Sequence, residues 1–265
     1  VPLRVSFLGG GSDFPDYFEK HEGAVLGTAI NKYAYVTLAP YNRNFHGTKY
    51  KLAYSKLEHA DAIDEIIHPA IRECIRMAAP DKPLELHYIS DIPARTGLGS
   101  SSSFVAAILL ALNALNNRII SPFQLAADSI KIEREILAEA GGWQDQIFAS
   151  YGGFNLIKFG PGKKFHVIPL PLPSERLALI KSYSLMIYTG IKRNSFEIQE
   201  KLDFQPESCE LFKKLTSLAV EGANCITSGR IDDFGKLLGR GWEYKKMTSR
   251  VTMPLIDQAY DAAMR

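Results

Sequence analysis

The sequence predicts an α+β protein, and three observations carry that prediction. Runs of β-branched and aromatic residues with partial alternation gather in the first half of the chain. Apolar residues at helical spacing dominate the second half. Ile168-Pro-Leu-Pro-Leu-Pro173 forms a stiff extended connector and is the best candidate for a domain boundary. At 265 residues the chain has ample core for one large domain or two small ones.

Residues 3–8, Leu-Arg-Val-Ser-Phe-Leu, read as a first strand, and 13–20 as a short helix after a glycine turn. Residues 29–39, rich in Tyr, Val and Ile, give a second strand closed by Pro40, with 51–54 expected to pair with it. A helix over 64–77 and a strand over 84–89 precede a glycine- and serine-rich turn and an apolar helix ending near Leu115. The helix over 122–138 has a start signal, Ser121 as N-cap and Pro122 at the first helical position. A short helix over 143–150 stops at Gly152-Gly153, and 154–158 forms a hairpin with 165–168. Beyond the prolines, 177–188 is expected to form one or two strands. Helices follow over 194–202, 207–228, 231–246 and 254–264. The implied domains are 1–173 and 174–265.

Composition narrows the function. The hydrophobic share of 46% and charged share of 23% are those of an ordinary soluble globular protein. A net charge of +2 gives no electrostatic case for nucleic acid or an anionic membrane. Cys74, Cys209 and Cys225 are odd in number and lack CxxC spacing, which points away from disulfide frameworks and zinc sites. They read as buried fillers in a reducing compartment. The longest apolar run, 104–115, is too short to span a bilayer, and no signal peptide is visible. A cytoplasmic protein is expected.

Gly97, Leu98, Gly99, Ser100, Ser101, Ser102 and Ser103 run straight into the apolar helix. A helix start offers unpaired N–H groups and the positive end of a macrodipole, which suit phosphate oxygens. The same residues also fit a plain glycine turn with a serine cap. A Walker loop is excluded, because Ser100 follows Gly99 and no lysine lies nearby. Gly9-Gly10-Gly11 fails as a dinucleotide fingerprint, because position 14 is Phe.

Four further residues stand out. Glu133 falls on the apolar stripe of Ala126, Ile130 and Leu137, where a carboxylate needs a cation or hydrogen bonds unless it reaches water at the stripe's edge. Asp145, just past Gly141-Gly142, is ordinarily a helix cap. Arg4 inside an apolar strand calls for a carboxylate or phosphate partner, and Asp13 after three glycines is odd for a purely structural role.

The order of these residues resembles the GHMP kinases (galactokinase, homoserine kinase, mevalonate kinase and relatives) over residues 2–265. The likeness leans to the heptose-phosphate kinases through the 91–104 segment, Asp-Ile-Pro-Ala-x-Thr-Gly-Leu-Gly-Ser-Ser-Ser-Ser-Phe. Gln144-Asp145-Gln146, Tyr151-Gly-Gly-Phe-Asn155 and Tyr188-Thr-Gly-Ile-x-Arg193 add to it. The resemblance implies a two-domain architecture, an N-terminal α/β nucleotide-binding domain and a ferredoxin-like C-terminal one. It implies ATP and Mg²⁺, with Gly97, Leu98, Gly99 and Ser100 to Ser103 around the phosphates and Ser101 and Glu133 on the metal. Asp145 becomes the base or orienting carboxylate, supported by Arg4.

Gly10, Gly11, Ser12, Asp13, Tyr188 and Arg193 fall on the sugar side. Arg43, Lys49, Lys192 and Arg193 are candidate partners for an acceptor phosphate, or plain surface charges. The expected reaction phosphorylates the anomeric hydroxyl of a heptose 7-phosphate, with fucose, galactose or another alcohol as alternative acceptors. The family's third glycine-rich segment does not occur before Arg265. The expectation is a shortened C-terminal domain; the competing reading is a silent sugar- and ATP-binding sensor.

Overall fold

The computed structural model describes residues 1–78, 82–94, 96–190, 204–248 and 253–264. Contacts divide the chain into two units, Val1–Val5 with Ala29–Gly152, and Ser6–Thr28 with Gly153–Arg265. Strands β1 (Pro2–Leu8) and β2 (Gly23–Pro40) each contribute residues to both units.

In the first unit the strand order is β4-β3-β5-β2, from β3 (Tyr50–Ala53), β4 (Leu57–Ala60) and β5 (Leu84–Ser90). β5 runs antiparallel to Ala34–Pro40 of β2 and parallel to β3. The 51–54 region was expected to pair with β2; it pairs with β4 and β5 instead. β4 is hidden in the sequence because a carboxylate takes one of its inward positions. Glu58 is buried there, accepting hydrogen bonds from the Tyr54 hydroxyl and the Ile67 amide.

Leu52, Leu84 and Leu86 face helices α3 (Pro69–Ala78), α4 (Ser100–Leu115), α5 (Pro122–Ile130) and α6 (Gln144–Tyr151). Ile71, Cys74, Val105, Ile108, Leu112 and Leu125 complete that core. The opposite sheet face carries Lys51, Glu85 and His87, with the Lys51–Glu85 pair at 2.6 Å. The helix expected over 64–77 is instead a 3₁₀ turn, Ile63–Glu65, followed by α3. Pro69 explains the break, since the residue before a proline is disfavoured in helical geometry.

The helix expected over 122–138 also differs. α5 ends at Ile130, and Lys131–Ile136 continues as a π-helix in which the Leu137 amide donates to Ile132 O at 2.9 Å. Such wide turns shift the face that later side chains present, and they gather at functional sites.

In the second unit, Gly23–Thr28 of β2 pairs antiparallel with β6 (Phe154–Gly160), which pairs antiparallel with β7 (Lys164–Pro169). Leu8, Leu26 and Leu156 share a core with helices α7 (Ser174–Ser182), α8 (Pro206–Ser228) and α9 (Ile231–Thr248). Helix α10 (Pro254–Ala263) follows. The strands expected over 177–188 are absent: α7 covers the start, and 183–190 has no regular structure. A short apolar run such as Leu177–Ile180 carries no clear period, and a tertiary contact favours helix. Arg176 donates to Ile226 O at 2.7 Å and Thr227 O at 3.1 Å, meeting the negative C-terminal end of α8.

Among the described residues no strand follows β7. The segment 194–202 lies outside the described residues.

Candidate active site

The site elements of the first unit gather around the start of α4. Gly99 is the N-cap residue, in left-handed geometry at φ 74°, and no side chain caps the helix. The plain serine-cap reading therefore fails. Ser103 instead donates to Pro2 O at 2.9 Å, while Ser101 and Ser102 both turn to Glu133. Glycine is required at 99 for two reasons. The backbone is left-handed, and a Cβ would sit 3.2 Å from Arg4 Cγ. The uncapped first turn leaves N–H groups and the helix dipole available to an anion.

Glu133 lies on the π-helix and is 1% exposed, so it does not reach water. Its Oε1 accepts from Ser101 Oγ at 3.2 Å; Oε2 accepts from Ser102 Oγ at 2.7 Å and from Gln146 Nε2. Burial pushes the carboxyl above its usual range, while the Arg134 charge and the Ser102 and Gln146 hydrogen bonds pull it back. Arg134 itself is bonded to the carbonyls of Gly142, Glu139 and Ala140.

The donor set of Ser101 and Glu133 is all oxygen. Among the described residues no group of three or more His, Cys, Asp or Glu could hold a metal alone. That combination fits a small hard cation that keeps water and takes phosphate oxygens, and such a cation would add positive charge beside Glu133.

Arg4 joins three parts of the unit. Its Nε and Nη2 reach Asp145 Oδ1 at 2.8 and 2.6 Å, and its Nη1 donates to Gly97 O at 2.7 Å. Its backbone amide donates to Leu98 O at 3.1 Å. Asp145 sits in the first turn of α6, whose N-cap is Trp143, so it is not the cap the sequence allowed. Both guanidinium contacts fall on Oδ1, which leaves Oδ2 for another partner. The next residue, Gln146, points to Glu133; α6 therefore orients both carboxylates. Gln146 is fully buried, and its role is not legible from its place beside Asp145.

The sugar-side residues belong to the second unit. Ser12 is fully buried, donating to Gly9 O at 2.8 Å and Ala24 O at 3.1 Å, so its hydroxyl is engaged by backbone. Asp13, also buried, accepts from the Gly11 amide at 2.9 Å. Gly11 is needed for packing as well as for turning, at φ 103° with a Cβ position 2.6 Å from Phe212 Cε1. Gly10 precedes it in the same turn. Tyr188 is exposed on the irregular stretch after α7. Arg43 pairs with Asp61 at 3.1 Å, and Lys49 lies over the Tyr50 ring. Lys192 and Arg193 lie outside the described residues.

Residues 65–153, which hold α3 to α6 and the turn at Gly97, match the model of the GHMP kinases N-terminal domain. The chain carries a GHMP kinase N-terminal domain. A D-glycero-alpha-D-manno-heptose 7-phosphate kinase from Campylobacter jejuni is 27% identical over 95% of this chain and 77% of its own length. A bifunctional fucokinase/GDP-fucose pyrophosphorylase from Arabidopsis thaliana is 22% identical over 98% of the chain. The chain spans only 27% of that longer protein.

The crystal structure of a D-glycero-D-manno-heptose 1-phosphate kinase from Bacteroides thetaiotaomicron superposes with a TM-score of 0.78 at 26% identity. That match covers 92% of this chain and 78% of the other. The chain is accordingly a phosphotransferase, similar along most of its length to sugar kinases.

Proposed function

We propose that the chain transfers the γ-phosphoryl group of ATP to the anomeric hydroxyl of a heptose 7-phosphate. The observation that carries this reading is Arg4, whose single guanidinium holds both Asp145 and the carbonyl of Gly97. One side chain thus ties the carboxylate that would meet the acceptor to the turn that would hold the donor phosphates. The heptose acceptor is supported by the similarity to the Campylobacter kinase.

In this reading the hydroxyl oxygen attacks phosphorus as the bond from phosphorus to the β–γ bridging oxygen breaks, and ADP leaves. The hydroxyl proton passes to Asp145 Oδ2, or is oriented by it, late in transfer. Arg4 keeps that carboxylate in place and offsets charge on the transferring group. The first-turn amides of α4 receive phosphate oxygens, and the exposed Ser101 hydroxyl sits with Glu133 Oε1 at the metal position. Mg²⁺ bound there would neutralise charge on the phosphates. An anomeric hydroxyl is more acidic than an ordinary alcohol, so a carboxylate suffices as base.

Gly10, Gly11 and Asp13 take the proposed sugar-contacting role, with the Ser12 hydroxyl bracing that turn through Gly9 O and Ala24 O, and Tyr188 and Arg193 take a proposed role in acceptor binding. The use of ATP fits a cytoplasmic location; none of the described helices is long and apolar enough to cross a membrane. A second reading, transfer to fucose or a related sugar, is supported by the Arabidopsis similarity.

The test is Mg·ATP-dependent ADP release over a panel of sugars and sugar phosphates, with phosphorus NMR of the product and Asp145→Asn alongside. Turnover on a heptose 7-phosphate giving an anomeric phosphate, lost in the variant, is the expected result. Turnover on fucose alone would move the assignment to the second reading. No turnover despite ATP binding would overturn both.

A further inference from the structure

We propose that Gln146 is a positioning residue, one that fixes the metal-side carboxylate so that only one of its oxygens is presented to the cation. This rests on the reading of Ser101 and Glu133 as the metal position, and it concerns a residue that touches neither substrate nor metal.

The geometry of Glu133 is asymmetric. Oε2 accepts two hydrogen bonds, from Gln146 Nε2 and from Ser102 Oγ at 2.7 Å, and both donors are buried. Oε1 accepts one longer bond, 3.2 Å, from Ser101 Oγ, and Ser101 is exposed. The carboxylate therefore has one saturated oxygen and one that holds a single, longer bond. A carboxylate oxygen has two lone pairs, so Oε2 has none left for a cation while Oε1 keeps one. Gln146 and Ser102 act together as a clamp, leaving Oε1 and the Ser101 hydroxyl as the adjacent pair with bonding capacity to spare.

Two features of the backbone make this clamp specific. Glu133 sits on the π-helix, where the wide turn sets its side chain apart from the α-helical stripe. Gln146 sits one residue after Asp145 on α6, so the helix that presents Asp145 to Arg4 also presents the amide to Glu133. Adjacent helical side chains point about 100° apart, so one rigid turn can serve two partners. Removing the Gln146 donor frees Glu133 to swing between presenting one oxygen or both. The Arg4–Asp145 pair would stay as it is, because the two contacts do not share an atom. Groups that orient metal ligands in this way typically contribute about 10- to 100-fold in metal affinity or activity.

The experiment measures Mn²⁺ binding by electron paramagnetic resonance in the presence of a non-hydrolysable ATP analogue and no acceptor. It compares wild type with Gln146→Met, which keeps the side-chain length and removes the donor. Glu133→Gln is the control for the metal position itself. Affinity for the analogue without metal is read in parallel. The expected result is Mn²⁺ affinity weaker by about tenfold or more in Gln146→Met, with metal-free analogue binding unchanged.

Wild-type Mn²⁺ affinity in Gln146→Met, with binding lost in Glu133→Gln, would overturn this inference and leave the metal assignment standing. Equal Mn²⁺ binding by wild type and Glu133→Gln would instead overturn the metal assignment, and with it the inference. Should the methionine variant fail to fold, Gln146→Glu sets a carboxyl against Glu133 and is read in the same assay. Unchanged Mn²⁺ affinity in that variant would likewise refute the clamp.

Discussion

Replacing Arg4 with lysine isolates what the guanidinium fork contributes beyond charge. Arg4 makes three side-chain contacts, two to Asp145 Oδ1 at 2.8 and 2.6 Å and one to Gly97 O at 2.7 Å. A lysine ammonium keeps the positive charge, but it sits at the end of a flexible stem and cannot span both partners in a fixed plane. The Coulomb attraction to Asp145 would persist; the tie to the turn at Gly97 would be lost.

Each hydrogen bond to a charged group stabilises by about 1.5–3 kcal/mol. With Arg4 12% and Asp145 21% exposed, solvent screening argues for the lower end. Losing two of the three then removes about 3 kcal/mol of positioning, which corresponds to about a 100-fold fall in kcat. The assay is ADP release at saturating ATP, with a urea melt on the same samples to separate chemistry from folding. Arg4→Lys turning over within about threefold of wild type would show that charge alone suffices, and would refute the argument that the fork positions Asp145.

Three further outcomes are expected. Gly99→Ala forces a left-handed backbone on alanine and drives its Cβ against Arg4; the strain of about 1–2 kcal/mol should lower the melting temperature, and the shifted turn should raise the KM for ATP. Glu133→Ala should be less stable than Glu133→Gln by about 2 kcal/mol in urea unfolding, because alanine leaves the buried Ser102 and Gln146 donors without an acceptor.

His68 gives the pH dependence. Burial between Tyr54 and Phe104 holds its imidazole below the usual range, against an opposing pull from the Glu58 charge. The unfolded chain therefore takes up the proton first as pH falls. The stabilisation is complete above about pH 6.5 and is lost as pH drops through the lower folded value. Melting temperatures from pH 7.5 to 5 should fall less steeply in His68→Phe than in wild type.

Much of the fold is written locally. α4 is marked by a glycine turn and an unbroken apolar run, α5 by Ser121 and Pro122, and the β6–β7 hairpin by two strand-like runs about a glycine turn. Where local pattern misleads, a specific hydrogen-bond partner decides. β4 was missed because Glu58 occupies an inward position that only Tyr54 and the Ile67 amide make tolerable. The 177–188 run reads equally as strand or helix until Arg176 meets the carbonyls at the end of α8.

The sequence by itself determined which residues could form the site. Arg4 in an apolar strand and Glu133 on an apolar stripe each imply a partner, because a bare charge is costly away from water. The family resemblance supplied roles for them. Only the tertiary structure decided the pairings: Arg4 with Asp145 and Gly97, and Glu133 with Ser101, Ser102 and Gln146. The reason is physical. Local pattern records how polar or apolar each position must be, whereas the partner of a buried polar group is set by the three-dimensional packing of strands and helices distant in sequence. The π-turn belongs to the same class: the apolar spacing of 122–138 suits an ordinary helix, and the wider turn that carries Glu133 is seen only in the folded chain.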